Sequence, residues 1–199
     1  GNSPNSNSNL VIPATVPGVP TIVSMVPGNK TVVVTFTAPT SNGGAALGYY
    51  DYSLDGGTTW LSGQYRTKGS VITITGLVNG TSYSVKIRAR NTVGPGTGTS
   101  ATTVIPFTVA SAPAIRSIVT TSSTATITFV TPNNGGRSIT SYQYSLNSGV
   151  TWTNRASGTT ATPVVLSGLV SKHFYSVMLR AVTAAGSGYA SAPFRFQTK

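Results

Sequence analysis

Two carboxylates, Asp51 and Asp55, and one imidazole, His173, are the side chains best equipped to move protons in a sequence that contains no glutamate and no cysteine. Paired carboxylates can act as general acid and base, or supply oxygen ligands to a calcium ion. Asp51 and Asp55 stand only four residues apart, with no further acid elsewhere to complete either arrangement. His173 follows Lys172 and has no second histidine or acid near it in sequence, so it reads as a surface histidine. The many serines and threonines likewise have no adjacent base to activate them. Without cysteine, a thiolate nucleophile, a cysteine-bound zinc and a disulfide framework are all excluded. The inventory therefore argues against an enzyme, and no catalytic residue, metal site or cofactor site is assigned.

The cations are more informative. Thirteen Lys and Arg face two acidic residues, giving +11 over 199 residues. Where Tyr83, Val85, Ile87 and Ala89 face a core, Lys86, Arg88 and Arg90 line the opposite face as a basic stripe, and Asp51 on a neighbouring strand is placed to pair with one of them. A later segment keeps only Arg180 there, with Gln143 in place of Asp51, and its charge is scattered over Arg116, Arg137, Arg155, Lys172, Arg195 and Lys199. Net charge of one sign keeps a chain dispersed; it could also dock an anionic glycan, a lipopolysaccharide or another subunit. Nucleic acid is disfavoured, because no basic cluster is interleaved with stacking aromatics.

The elements that position these residues come in two copies. Tyr50, Trp60, Gly76, Tyr83 and Arg88 recur 92 residues later as Tyr142, Trp152, Gly168, Tyr175 and Arg180. Pro20 and Phe36 recur 93 later as Pro113 and Phe129, which sets modules at 19–110 and 111–199. Ahead of them, residues 1–9 are only Gly, Asn, Ser and Pro and read as a flexible tail. Residues 10–18, with Val19, form an extended apolar arm through Leu10, Val11, Ile12, Val16 and Val19, free to cover a sheet edge of its own or of a neighbour. Within each module apolar residues alternate with polar ones, as in Val32, Val34, Phe36 and in Ala125, Ile127, Phe129. Period two, turn signals every 8 to 12 residues and no amphipathic helical stretch predict about seven short strands per module in an antiparallel sandwich. No run approaches the roughly 18 apolar residues that span a bilayer, so no membrane insertion is expected.

The run from Gly76 to Asn91, with Leu77, Gly80, Thr81, Tyr83, Val85, Ile87, Ala89 and Asn91, resembles the Leu-x-x-Gly-Thr-x-Tyr-x-Val signature of fibronectin type III domains. The second copy keeps Leu169, Tyr175, Val177 and Ala181. The resemblance implies two tandem immunoglobulin-like sandwiches, with Tyr83 and Tyr175 as the corner residues that tie a loop to the following strand. It also implies tryptophan where Phe36 and Phe129 stand. Ser53 to Trp60 is similar to an Asp-box hairpin, in which Asp55 bonds the backbone ahead of it and Trp60 folds over the turn. The second copy, Ser145 to Trp152, has Asn147 for the aspartate, a change that a turn accepts and a catalytic carboxylate would not. Asn29-Lys30-Thr31 and Asn79-Gly80-Thr81 fit the glycosylation acceptor pattern and equally fit turns.

These observations lead to an expected non-catalytic structural or adhesive protein of an exterior assembly, as in a virion, tail fibre or cell-surface filament, oligomeric through protein contacts. In that reading, removing residues 1–18 abolishes assembly and leaves the fold intact. The alternative is a carbohydrate-binding or spacer module of a secreted polysaccharide-active enzyme, with exposed Tyr49, Tyr65 or Tyr189 stacking on sugar rings. Both place the chain outside the cell.

Overall fold

The computed structural model describes residues 13–62, 70–155 and 159–199. All regular structure among them is strand, as the β-branched, Gly-punctuated composition requires. Seven strands come first: β1 (Thr21–Gly28), β2 (Thr31–Thr37), β3 (Leu47–Ser53), β4 (Leu61–Ser62), β5 (Val71–Ile74), β6 (Tyr83–Asn91) and β7 (Thr102–Val104). Eight follow: β8 (Ala114–Thr120), β9 (Thr124–Val130), β10 (Ile139–Ser145), β11 (Thr153–Asn154), β12 (Val164–Ser167), β13 (Phe174–Thr183), β14 (Gly186–Ser187) and β15 (Phe194–Gln197). The described residues divide into two compact units, one drawn from 13–27, 31–62, 70–75 and 82–104, the other from 28–30, 76–81, 105–155 and 159–199.

In the first unit, strands order as β1-β2-β5 in one sheet and β4-β3-β6-β7 in the other, all antiparallel. The second repeats this with β8-β9-β12 and β11-β10-β13-β15, β15 pairing the start of β13 as β7 pairs the start of β6, and the two-residue β14 pairs with the end of β13. Each is an immunoglobulin-like antiparallel β-sandwich. The period of two does the work: Val32, Val34 and Phe36 are buried, while Thr31, Val33 and Thr35 between them are only half-buried. Each fully buried Val, Ile or Leu contributes about 1.5–3 kcal/mol, so the inward rows of β2, β5 and β6 hold the first sandwich together. At the centre Phe36 packs against Tyr50 at 4.5 Å, and Phe129 against Tyr142 at 4.7 Å. Each core thus keeps an aromatic pair at the position where the resemblance implied tryptophan.

A register shift between Leu47 and Tyr49 sets β3 so that Asp51 lies directly opposite Arg88. The equivalent shift between Ile139 and Ser141 sets Gln143 opposite Arg180.

Candidate functional site

Asp55 stands at the turn after β3. The Ser53 hydroxyl donates to its Oδ1 at 2.7 Å, the Thr59 amide donates at 2.9 Å, and the Thr59 hydroxyl donates to Oδ2 at 2.6 Å. The turn is stitched to β6, with Gly56 N–H donating to Ser84 O at 2.8 Å and Ser84 N–H to Leu54 O at 3.1 Å. These donors, led by the Thr59 hydroxyl, hold the Asp55 carboxyl far below the usual carboxylate range. A carboxylate so satisfied is a turn anchor and a poor base. In the second unit Asn147 repeats the arrangement with one reversal: its Oδ1 accepts from Ser145 and from the Thr151 amide, both at 2.9 Å, and its Nδ2 donates to the Thr151 hydroxyl at 2.8 Å.

Trp60 then returns across the outer face of the sheet, its ring 4.2 Å from the Arg88 guanidinium carbon. Gly98 makes this possible, because a Cβ there would lie 2.6 Å from the indole. Beneath it Arg88 Nε donates to Asp51 Oδ2 at 2.9 Å, and Arg90 Nε approaches the same oxygen at 3.5 Å without hydrogen-bond geometry. Asp51 was expected on an open outer face with one partner; it is 1% exposed and lies against two arginines. Ser62 on β4 also donates to it through its hydroxyl, at 3.5 Å. Arg180 repeats the clamp, 4.1 Å from the Trp152 ring with its Nε donating to Gln143 Oε1 at 2.7 Å. The Trp152 indole donates to Gly149 O at 3.0 Å.

Lys86, Arg88 and Arg90 therefore share one face, as expected, but all three are half-buried and Arg88 is held between a carboxylate and a ring. Other arginines also serve packing. Arg137 lies 4.5 Å over Phe107, and Arg155 donates to the carbonyls of Thr159 and Pro163 at 3.0 and 2.8 Å, fixing the loop ahead of β12. Those roles were not visible in the sequence, since each depends on a partner remote in the chain or on a loop conformation.

Tyr175 accepts a hydrogen bond from Val170 N–H at 2.9 Å, and Tyr83 occupies the same place at the start of β6, half-buried. His173 is exposed, with its ring edge-on to Tyr175 at 4.8 Å. Among the described residues no three His, Cys, Asp or Glu come together as a metal site. Of the aromatics proposed to stack on sugars, Tyr189 is 67% and Tyr49 37% exposed, and Tyr65 lies outside the described residues.

From residue 13 onward the apolar arm lies on its own sandwich, one of the two places expected for it. Leu10, Val11 and Ile12 lie outside the described residues, but from residue 13 onward the chain belongs to the first unit. Thr15 N–H donates to Gly43 O at 2.7 Å and Gly18 N–H to Ser41 O at 2.9 Å, while Asn91 Nδ2 donates to Thr15 O at 2.7 Å. Pro17 and Pro20 are buried, and Val16 and Val19 are exposed. Removing residues 1–18 would strip these bonds from the sandwich and should lower its stability. Asn91, 7% exposed, is the residue that sequence reasoning passed over; it stood in the family-like run without a role.

Two antiparallel sheets with a tyrosine corner define an immunoglobulin-like class. Within it, the fibronectin type III domain family matches residues 111–197, so that stretch is a fibronectin type III domain. The chain is also similar to Endoglucanase B of Cellulomonas fimi, 36% identical over 173 residues. The match covers 81% of this chain and 16% of that protein, so the chain spans about a sixth of its relative's length.

Proposed function

We propose that this chain is a non-catalytic spacer segment of a secreted polysaccharide-active enzyme, built of two fibronectin type III modules in tandem. The observation that carries it is the 36% identity to an endoglucanase, with a match confined to 16% of that protein. The first unit's membership in the family rests on the 92-residue repeat and on a strand order equivalent to that of residues 111–197. An extracellular location goes with this reading. It is favoured over a virion, tail-fibre or filament subunit because the arm offered for assembly is bonded to its own sandwich. It is favoured over a sugar-binding module because the two tryptophans are stacked on Arg88 and Arg180 and leave no paired aromatic platform there.

The test is retention on insoluble cellulose and on a glycan array, together with light scattering over a concentration series at low and high salt. A spacer stays unretained and monomeric throughout. Saturable retention would transfer the assignment to a carbohydrate-binding module, and concentration-dependent mass to a structural subunit.

A further inference from the structure

Among the described residues two buried side-chain polar atoms have no hydrogen-bond partner, Arg90 Nε and the Tyr142 hydroxyl. Arg90 Nε lies beside Asp51, which accounts for it. The Tyr142 hydroxyl has no such neighbour. Its residue is 0% exposed, and the Thr131 side chain approaches it without forming a hydrogen bond of ordinary geometry. A buried phenol left unpaired forfeits the bond it makes to water in the unfolded chain, so such groups are rare and point to something that pairs with them. Burial, outweighing Thr131 and Arg155, raises the Tyr142 phenol above its ordinary value, so it keeps its proton and can donate.

Tyr142 helps to line a cavity of about 500 Å³ in the second unit, walled by the loop that follows β9, the start of β10 and the loop ahead of β12. That volume is in the range of small-molecule sites. Thr131, Ser138 and Thr160 add hydroxyls to the wall, and Asn133 and Asn134 add amides. Each asparagine Oδ1 already accepts from a glycine amide, at 2.8 Å from Gly135 and 2.9 Å from Gly136, so the Nδ2 groups are left as donors. None of the described lining residues is charged, in a chain of +11. Arg155, whose charge reaches Tyr142, is held by the carbonyls of Thr159 and Pro163. The repeat shows what is particular to this unit. Where the second unit has Thr131 and Ser138 near its buried tyrosine, the first has Ala38, 93 residues earlier, and Ala46, 92 earlier, with Tyr50 as the tyrosine. We infer that the cavity is a binding site for a neutral, hydroxyl-rich ligand, the end of a saccharide chain, with Thr131, Ser138 and the Tyr142 hydroxyl as its hydrogen-bonding wall. Sugar hydroxyls both donate and accept, as these groups do. An ion would bring a charge that nothing in the wall balances. A concave site of this size takes one chain end and no flat fibre face. The inference stands on the cavity and goes beyond the spacer reading.

The test follows backbone amide NMR shifts of the full chain as cellobiose, a neutral probe, is added. Saturable shifts are expected at Thr131, Ser138 and Thr160, with a Kd on the order of 1 mM. T131A/S138A, which writes the first unit's residues into the second, should weaken that Kd at least about tenfold with the fold unchanged. Tyr142→Phe should weaken it comparably and keep the melting temperature within about 2 °C, because the hydroxyl it removes makes no bond in the free protein. Shifts that do not saturate, or that survive both variants, overturn the inference. So does a clear fall in melting temperature for Tyr142→Phe with no response to cellobiose, since the hydroxyl is then paired with water and the cavity is only hydrated. A larger response to glucuronate than to cellobiose would trace the shifts to net charge and overturn it as well. Retention on insoluble cellulose decides the spacer reading separately, because weak binding of a soluble disaccharide does not hold a chain on a solid.

Discussion

At the scale of single residues, the two copies act as natural substitutions of one another. Asp55 and Asn147 anchor the same turn, one accepting from a threonine hydroxyl and the other donating to it. The Asp55 carboxyl titrates lower folded than its unfolded value of about 3.9, so its contribution is present above that pH and is lost as pH falls through the folded value. Asp55→Asn should therefore flatten the acid limb of the melting-temperature profile below about pH 4, with little change at pH 7. Asp51 and Gln143 form the second pair. Asp51→Gln can still accept from Arg88 as Gln143 does from Arg180, and should cost about 1 kcal/mol in urea unfolding. Asp51→Leu leaves two arginines beside a buried apolar group and should cost about 3 kcal/mol. A larger loss for the glutamine than for the leucine would contradict the clamp.

At the scale of elements, much was legible and the failures are instructive. The inward rows Val32-Val34-Phe36 and Val85-Ile87-Ala89 followed from alternation alone, because a sandwich buries one face of each strand. Alternation also placed Asp51 outward, correctly for direction and wrongly for depth. Its buried surroundings are Arg88 and Arg90 from β6 and Ser62 from β4, partners that alternation does not announce. The arm was expected to cover a sheet edge of its own or of a neighbour, and residues 13–18 lie on their own sandwich through the backbone bonds of Thr15 and Gly18, which no side chain announces. Gly43 records that contact. It has φ of +73° and a blocked Cβ position, whereas Gly76 has φ of +76° and open space around it. Gly76→Ala should cost about 1 kcal/mol, the price of a left-handed alanine, and Gly43→Ala clearly more, about 3 kcal/mol, in paired urea titrations. Equal costs would mean that residues 13–18 do not press on the loop.

At the scale of the whole molecule, the 92-residue repeat pointed to two modules, the described chain divides into two compact units, and the charge balance was plain from composition. The use made of that charge was not, since a guanidinium stacked on a distant tryptophan has no local signature. With Arg88 and Arg180 clamped and Arg137 on a ring, the +11 charge acts as a diffuse field more than as a patch. On a heparin column, K86Q/R90Q should therefore shift the eluting salt concentration no more than R116Q/R195Q, which removes two exposed arginines elsewhere. A markedly larger shift for the first pair would restore the basic stripe as a docking site.

The tryptophan clamps also bear on survival among extracellular proteases. A trypsin-like protease must draw an arginine and its flanking backbone into an extended groove, yet Arg88 and Arg180 sit in central strands beneath an indole. Scission there waits for the sheet to open, so its rate tracks the population of the opened state. Trimming at those two bonds is thus a gauge of how often each sandwich comes apart.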